Sequence, residues 1–337
     1  MGVNGRVAVY GAYGHTGRFV VAELLAQGYV PVLCGRDGDK LAVLAGSYPE
    51  LEARVAPIDD AAALDGALHD AVAVINCAGP FLDTAAPVIV AALRAGIHYL
   101  DTCAEQRAVQ EVMERFPGGA KAAGVTVVPA LAFFGAMADL LATAAMDDWP
   151  DADEIEILVA LDSWHPTAGT RLTGARNHYP RVVVAGGQLV PLADPPPSRQ
   201  WTFATPFGTQ QMVALPLSEI IALHSHVRAR EVHSYMNMAP LTDLRDPQTP
   251  APKASDASGR SAQLFAVEVL VRRNGLVRRA MALGRDIYAI TAPLVVEGLR
   301  RIDAGGTQPG VLSPGAAFRA RDFLESLPEL QLAFGAG

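Results

Sequence analysis

The sequence of 337 residues has few charged residues and no long hydrophobic run, and both features exclude classes of function. Only 18% of the residues are charged, and the net charge of −8 argues against a nucleic-acid-binding surface. No apolar run approaches the ~18 residues that a membrane-spanning helix needs. A strand is predicted almost at the first residue, which leaves no room for a signal peptide. We therefore expect a cytoplasmic protein with no membrane span and no nucleic-acid partner.

Cysteine is also scarce, and several catalytic motifs are missing. The three cysteines, Cys34, Cys77 and Cys103, lie in the first third of the chain, and two of them fall in apolar strand-like runs. They are expected to be small core residues in a reducing compartment. The sequence contains no phosphate loop, no Cys-x-x-Cys pair, no Gly-x-Ser-x-Gly turn and no Tyr-x-x-x-Lys pair. Nucleotide hydrolysis, dithiol chemistry, serine hydrolysis and short-chain-dehydrogenase acid chemistry are therefore not predicted.

Histidines cluster once, at His224, His226 and His233. A His-x-His pair binds a metal from a strand, whereas residues 217–232 have a helical pattern. We therefore predict no metal site.

The most informative segment is a glycine turn near the start of the chain. The apolar run 7–10 precedes Gly11-Ala-Tyr13-Gly14-His15-Thr16-Gly17, and an apolar helical run follows over 19–26. This order of strand, glycine turn and helix places a dinucleotide pyrophosphate at a helix N-terminus. The first glycine permits the sharp turn, the second makes room for the phosphates and the third lets helix and strand approach. The alternative is a glycine-rich turn in another kind of doubly wound domain.

Strand and helix patterns alternate over the first 130 residues, which predicts α/β architecture with a Rossmann-type doubly wound parallel sheet. Apolar strand runs are predicted at 7–10, 30–34, 72–77, 97–100 and 125–128, and helices at 18–27, 38–46, 61–68, 85–95 and 105–123. We predict three parts: a dinucleotide-binding domain (1–130), a substrate domain (131–285), and C-terminal helices that pack back on the first domain (286–337).

The substrate domain is predicted to be α+β with a mostly antiparallel sheet. A long strand is expected over 153–162, and two hairpins turn at Gly186-Gly187 and at Asn274-Gly275, the latter a type I′ signal. A helix is predicted over 288–302, and the tail over 318–327 is expected to reach the first domain. Residues 241–261 lack periodicity and are either a disordered insertion or a mobile lid.

The residues after the second strand indicate which cofactor binds. In the NAD form of this fold an acidic residue there holds the ribose 2′-hydroxyl. Here the first side chain is Arg36, suited to a 2′-phosphate, and Lys40 adds a second positive charge. Asp37 could serve NAD instead, but we favour NADP. Asp59 either contacts the adenine amine or caps the next helix, and the sequence does not separate these alternatives.

With these segments in view, the chain resembles the saccharopine dehydrogenase-like oxidoreductases nearly from end to end. The matching segments are 11–17, the fourth-strand segment 74–81, 98–105, 132–139, 284–293 and 310–314. The sequence departs from the family pattern at Tyr13, His15, Ala104 and Met137. The resemblance implies NADP(H) as cofactor. It also implies that the fourth-strand segment passes the nicotinamide half, through Asn76, Cys77, Ala78, Gly79, Pro80 and Phe81.

Candidate catalytic residues follow the fifth strand, where ligands of open α/β sheets bind. Asp101 could orient a substrate ammonium or relay a proton, or it could cap the next helix. Glu105 could bind an amine, or be an ordinary acid in the first turn of a helix. Tyr99 could donate a proton, or be a core tyrosine. In the second domain we predict that Phe133, Arg171 and Arg176 contact the substrate. The two arginines could clamp a carboxylate, or they could be solvated charges.

The leading hypothesis is an NADPH-dependent reductase that transfers hydride to a C=N bond of a small metabolite. A trans-acting enoyl reductase for a carrier-bound or lipid-like substrate is the alternative, because the family includes both activities. A third hypothesis is a non-catalytic NADP-binding redox sensor. We expect the protein to act as a homodimer.

Overall fold

The computed structural model describes residues 5–336, which form sixteen strands and thirteen α-helices. The strands are β1 (Arg6–Tyr10), β2 (Val30–Gly35), β3 (Ala53–Val55), β4 (Ala73–Asn76), β5 (His98–Asp101), β6 (Thr126–Val128), β7 (Ala152–Leu161), β8 (Val182–Ala185), β9 (Gln188–Pro191), β10 (Ser198–Thr202), β11 (Thr209–Ala214), β12 (Ala229–Asn237), β13 (Leu264–Arg273), β14 (Leu276–Arg285), β15 (Gly310–Val311) and β16 (Gln331–Ala336). The helices are α1 (His15–Ala26), α2 (Gly38–Ala45), α3 (Ala61–Leu68), α4 (Phe81–Ala95), α5 (Gln106–Arg115), α6 (Pro117–Ala123), α7 (Ala138–Met146), α8 (Ala168–Arg176), α9 (Ser218–His224), α10 (Met238–Arg245), α11 (Thr291–Asp303), α12 (Pro314–Ala317) and α13 (Ala320–Glu325).

The first sheet is parallel throughout and has seven strands in the order β15-β6-β5-β4-β1-β2-β3. Alternate residues of β1 enter two different cores: Val7 and Val9 pack into one, Ala8 and Tyr10 into the other. Both faces of the sheet are therefore covered, which explains the continuous apolar runs. The predicted doubly wound sheet is confirmed. The edge strand β3 was absent from the predicted apolar runs because two of its three residues are exposed.

The second sheet has nine strands, in the order β10-β11-β12-β7-β13-β14-β16 with the β8–β9 pair attached to β12. Only β7 and β12 pair in parallel among these strands. The predicted mostly antiparallel sheet is confirmed, as are both hairpins. Asn274 and Gly275 have φ values of 50° and 79°, as a type I′ turn requires.

Two helix predictions were wrong in detail. The helix expected over 105–123 is two helices, because the chain breaks at Phe116-Pro117 and proline begins α6. The helix expected over 217–232 ends at His224, and β12 begins at Ala229. Alternating burial of Val232, Ser234 and Met236 in β12 overrides the helical pattern.

The C-terminal segment contributes to both sheets. Helix α11 packs on α1, β15 extends the first sheet beside β6, and β16 pairs with β14 in the second. The division at residues 130 and 285 stays a prediction. Residues 241–261 begin in α10 and continue as an irregular segment with its own hydrogen bonds, such as Ser255 N–H to Arg260 O at 2.8 Å. Across residues 5–336, no helix is both long and apolar enough to cross a membrane.

Candidate functional site

One cavity of about 920 Å³ lies at the carboxyl ends of the first sheet, and residues between Ala132 and Thr291 line its other side. The first domain contributes the glycine turn and the residues after β4 and β5. The second domain contributes aromatic side chains and helix α8. The lining residues used below are Tyr13, Gly14, His15, Thr16, Lys40, Cys77, Gly79, Phe81, Thr102, Glu105, Phe133, Phe134, Trp164, Arg171, Arg181, Leu217, Leu244 and Tyr288.

The glycine turn has the geometry that its sequence predicts. Gly11 has a φ of +85°, and its N–H donates to the carbonyl oxygen of Cys34 at 2.8 Å. A Cβ at Gly17 would lie 2.3 Å from the carbonyl oxygen of Gly11, so this position requires glycine for close packing of α1 on the turn. Helix α1 begins at His15, and its first N–H groups have no carbonyl partner within the helix. These donors, together with the positive end of the helix dipole, suit a pyrophosphate.

The residues after β2 fit a 2′-phosphate better than a ribose hydroxyl. The carboxylate of Asp37 caps α2 by accepting from Lys40 N at 3.1 Å, and its other oxygen lies 2.8 Å from Lys40 Nζ. The one acidic group that could serve NAD is thus already engaged. Arg36 is exposed and has no hydrogen bond or ion pair to any residue in 5–336. Tyr13 lies over Gly35, where a Cβ would come within 2.6 Å of its ring.

Asp59 is exposed and does not cap helix α3. The cap is Asp60, whose side chain accepts from Ala63 N at 2.9 Å. The capping alternative for Asp59 is therefore wrong. Its contact with adenine stays a prediction.

Asp101 and Tyr99 lie beneath the cavity rather than in its wall. Both are fully buried, and Tyr99 donates its hydroxyl proton to Asp101 Oδ2 at 2.8 Å. Asp101 Oδ1 accepts from the N–H groups of Cys103 (3.0 Å) and Ala130 (2.7 Å). Burial raises the pKa of Asp101 to about 6. With these partners Asp101 ties the loop after β5 to the residues after β6, and its catalytic role stays a prediction.

Asn76 joins the same buried network and shapes the turn after β4. Its side-chain N–H₂ donates to Tyr99 Oη and its oxygen accepts from Ala78 N, at 3.2 and 3.0 Å. Of the six residues predicted to pass the nicotinamide, Cys77, Gly79 and Phe81 line the cavity, whereas Asn76, Ala78 and Pro80 do not.

Glu105 is the carboxylate that does reach the cavity. It is 2% exposed, and its Oε2 accepts from the backbone N–H of Phe81 at 2.8 Å. Its Oε1 has no hydrogen-bond partner in the described residues, although it is buried. Burial raises the pKa of Glu105 to about 6, against the opposing effect of hydrogen bonds from the Phe81 and Leu82 backbone. Glu105 is therefore a buried carboxyl group with a free oxygen and a pKa close to neutrality, both typical of a proton donor.

Of the three predicted substrate residues, two line the cavity and one does not. Phe133 lines the cavity beside Phe134 and Trp164. Arg171 also lines it, but its guanidinium donates to the carbonyl oxygens of Asp246 and Thr249 and so fastens the segment after α10. Arg176 is exposed, forms an ion pair with Asp83 at 3.0 Å and does not line the cavity. Its charge bridges α8 to α4, and the contact of Arg176 with substrate stays a prediction.

Two cavity residues were missed by the sequence interpretation. The Tyr288 hydroxyl accepts from Trp164 Nε1 at 3.0 Å and lies 2.9 Å from Thr170 Oγ1, which holds α8 over the cavity. Its ring meets that of His15 edge-on, with centroids 5.3 Å apart.

Arg181 precedes β8 and donates to the Pro216 carbonyl at 2.8 Å. Three valines follow Arg181 in the sequence, and this apolar run could have indicated that the arginine lies next to the hydrophobic core.

Of the three histidines at 224, 226 and 233, His226 contacts a buried carboxylate. His226 Nε2 lies 2.7 Å from Asp139 Oδ1, whose other oxygen accepts from Gly315 N at 2.7 Å. Within residues 5–336, no group of three or more His, Cys, Asp or Glu side chains is placed to hold a metal ion.

Comparisons with known proteins agree with this arrangement. The family model for the saccharopine dehydrogenase NADP binding domain matches residues 7–128. A human protein named saccharopine dehydrogenase-like oxidoreductase is 28% identical over 152 residues, which cover 40% of this chain and 35% of that protein. A Caenorhabditis elegans protein named lipid droplet localized protein is 29% identical over 146 residues, covering 40% and 34%. The match spans about a third of the length of these relatives.

One solved structure has a similar fold over nearly the whole length of this chain. Apo saccharopine dehydrogenase (L-Glu forming) from Saccharomyces cerevisiae aligns with a TM-score of 0.69 over 99% of this chain and 100% of that one. Its 14% identity supports the fold alone. The comparisons confirm the resemblance to the saccharopine dehydrogenase-like oxidoreductases, and the match of residues 7–128 to an NADP binding domain supports NADP(H) as the cofactor.

Proposed function

We propose that this protein is an NADPH-dependent reductase of a C=N bond in a small metabolite. The observation that supports this proposal is Glu105: a buried carboxyl group with one free oxygen, placed after β5 in the cavity that also contains the glycine turn. Imine reduction needs a hydride at carbon and a proton at nitrogen. A carboxyl group with a pKa of about 6 can supply that proton near neutral pH.

Described residues fit the cofactor at three positions. The first N–H groups of α1 suit the pyrophosphate, Arg36 suits the 2′-phosphate, and Cys77 and Gly79, which line the cavity, would flank the nicotinamide half. The bound nicotinamide supplies the hydride.

Glu105 then has two tasks in succession. As the acid, it donates its proton to the imine nitrogen while the hydride adds to carbon, so that the π bond of C=N is replaced by one C–H and one N–H bond. The resulting carboxylate keeps the Phe81 hydrogen bond and faces the amine product, and it regains a proton from solvent. The aromatic wall of Phe133, Phe134 and Trp164 would limit the contact of water with the reacting atoms.

The enoyl alternative has one observation in its favour. Aromatic and aliphatic side chains, Phe133, Phe134, Trp164, Leu217 and Leu244, form much of the second-domain wall, and such a surface accommodates an acyl chain. The buried carboxyl group of Glu105 and the Arg181 cation in the cavity wall favour the polar imine instead. The sensor hypothesis expects no substrate cavity facing the cofactor, and a cavity of about 920 Å³ between the domains counts against it.

A substrate panel tests the proposal. The protein with NADPH would be mixed with cyclic imines and, separately, with enoyl thioesters, and NADPH consumption followed by absorbance. We expect turnover of imines and its loss in Glu105→Gln. Turnover of enoyl thioesters alone, or tight NADPH binding without turnover of either class, would contradict the proposal.

A cytoplasmic location and a homodimeric state also belong to the proposal. Both can be measured, by fractionation of the source cells and by light scattering of the purified protein. A monomer in solution would refute the dimer without affecting the chemistry.

A further inference from the structure

The side chain of Tyr13 lies on the carboxyl end of β2, in the space that is open because Gly35 has no side chain. A Cβ at Gly35 would lie 2.6 Å from Cε1 of the Tyr13 ring, and Tyr13 also lines the cavity. We infer that the Tyr13 hydroxyl donates to the 2′-phosphate of NADP, so that Tyr13 helps to select NADP over NAD. The inference goes beyond the proposed reductase function, since it concerns the choice of nucleotide and not the reaction.

Backbone hydrogen bonds hold the glycine turn against the end of β2. The N–H groups of Gly11 and Ala12 both donate to the carbonyl oxygen of Cys34, at 2.8 and 3.2 Å. Cys34 directly precedes Gly35, and in dinucleotide-binding domains the residues at the end of this strand contact the 2′ position of the adenosine ribose. Tyr13 follows Ala12 in the turn, so its ring is held beside the strand end that recognises the 2′ position.

Two cations follow Gly35, and only one of them is unpaired. Lys40 Nζ lies 5.8 Å from the centroid of the Tyr13 ring, but it also lies 2.8 Å from Oδ2 of Asp37. The hydrogen bond and charge of Asp37 raise the pKa of Lys40, and the charge of the nearby Arg36 opposes that effect. Arg36 has no hydrogen bond or ion pair to any residue in 5–336, so its guanidinium is available to a phosphate.

The Tyr13 hydroxyl is a second available donor at this strand end. The backbone oxygen of Tyr13 accepts from Arg18 Nε at 3.2 Å, whereas no residue in 5–336 forms a hydrogen bond with the phenol oxygen. A phosphate group has three terminal oxygens that accept hydrogen bonds, and one guanidinium fork engages two of them. A neutral O–H donor beside Arg36 can therefore bind the third oxygen. The 2′-hydroxyl of NAD carries no charge and gains less from the same donor.

The Tyr13 ring also explains why residue 35 is glycine. Gly35 is not among the residues with a positive φ, so its backbone conformation does not require glycine. The atoms nearest to a Cβ built there are Cε1, Cζ and Cδ1 of the Tyr13 ring, at 2.6, 3.3 and 3.4 Å. A side chain at position 35 would displace the ring. The glycine thus keeps the phenol at the strand end where the 2′-phosphate would bind.

Calorimetry with three nucleotides tests the inference. The protein would be titrated with NADPH, with NADH and with adenosine 2′,5′-bisphosphate. Tyr13→Phe removes only the hydroxyl, and it should weaken binding of NADPH and of the bisphosphate by about tenfold, since hydrogen bonds to charged groups are the strong ones. Its affinity for NADH should be unchanged. Tyr179→Phe, which alters an exposed tyrosine outside the cavity, is the matched control and should leave all three affinities unchanged.

Equal NADPH affinities of the parent and Tyr13→Phe would overturn the inference, as would equal losses for NADPH and NADH in that variant. Tyr13→Ala separates the hydroxyl from the ring. If Tyr13→Ala weakens both nucleotides equally while Tyr13→Phe weakens neither, the ring stacks on the adenine and the inference is wrong. If Tyr13→Phe loses NADPH affinity selectively and the parent reduces no imine, the phosphate contact is upheld and only the reductase function is contradicted.

Discussion

Glu105 accepts a hydrogen bond from the backbone N–H of Phe81, the first residue of helix α4. Pro80, at the cap position, has no side chain that can accept this bond, so a carboxylate from the neighbouring loop caps the helix instead. The contact fixes Oε2 of Glu105 and leaves the buried Oε1 without a hydrogen-bond partner among the described residues. A contact that stabilises the helix thereby also orients the proposed acid.

Arg36→Ala should weaken NADPH binding by about tenfold to a hundredfold, since a hydrogen bond to a charged group contributes ~1.5–3 kcal/mol. NADH lacks the 2′-phosphate, so its affinity should change little. Calorimetric titration with both nucleotides measures the difference. Arg94→Ala, which removes an arginine paired with Asp65 outside the cavity, is the control. Equal losses for the two nucleotides would exclude Arg36 from the 2′-phosphate site.

Gly17→Ala should lower the free energy of unfolding by about 1–3 kcal/mol, the usual effect of overpacking. The added Cβ meets the backbone oxygens of Gly11 and Ala12 at 2.3 and 2.9 Å, and backbone cannot move aside easily. Gly66→Ala is the matched control, because nothing lies within 4 Å of its Cβ in helix α3, and it should stabilise by about 0.5–1 kcal/mol. Urea unfolding compares the two, and a Gly17→Ala protein as stable as the parent would refute the close packing.

Asp101→Asn should destabilise the fold by about 1–3 kcal/mol and leave NADPH affinity unchanged. The amide can replace one oxygen toward Cys103 and Ala130, but its N–H₂ then faces the Tyr99 hydroxyl, which loses its acceptor. Chemical unfolding and nucleotide titration measure the two effects. Unchanged stability together with lost turnover would instead make Asp101 a catalytic residue.

The His226–Asp139 pair should make stability depend on pH. Burial lowers the pKa of His226, but the Asp139 carboxylate outweighs this, and the net pKa is raised above 6.5. A raised folded-state pKa means that the folded protein binds the proton more tightly than the unfolded chain. The contribution is therefore complete below the unfolded value and is lost as pH rises through the folded one. Unfolding free energies across this range should fall less in His226→Gln than in the parent, and identical pH dependences would contradict the pairing.

The sequence predicted elements where local pattern and tertiary packing agree. The glycine turn and the Asn274-Gly275 hairpin are examples, since each depends on nearby residues. The parallel sheet pairs distant strands, such as Val7 with Ala73, but its buried strands appear in the sequence as apolar runs. The predictions failed where distant packing decides. Residues 225–232 had a helical pattern, but pairing with β7 makes the end of that segment a strand.

The sequence predicted where along the chain the site residues lie, but not which of their side chains would reach the cavity. Asp101 and Glu105 both follow β5, and no local pattern tells which one a neighbouring loop will cover. Ala130 and Cys103 donate to Asp101 and enclose it, whereas Glu105 keeps a free oxygen. The sequence also could not tell which arginines line the cavity. Arg181 does, whereas Arg176 pairs with Asp83, a neighbour that only the folded chain brings to it.

Protonation of the substrate nitrogen by Glu105 is the central claim. With a pKa of about 6, the acid form predominates below that pH and declines above it. Glu105→Gln removes the proton but retains an acceptor for the Phe81 N–H, so the fold and NADPH affinity should persist. Turnover should fall by about 10²–10⁴-fold, the usual contribution of a general acid.

The most direct test is the pH dependence of kcat/KM for imine reduction in the parent and in Glu105→Gln. The parent should lose activity as pH rises above about 6. The variant should be slow and lack that decline. A variant that retains the parent's rate and the same decline would contradict the assignment of Glu105 as the proton donor.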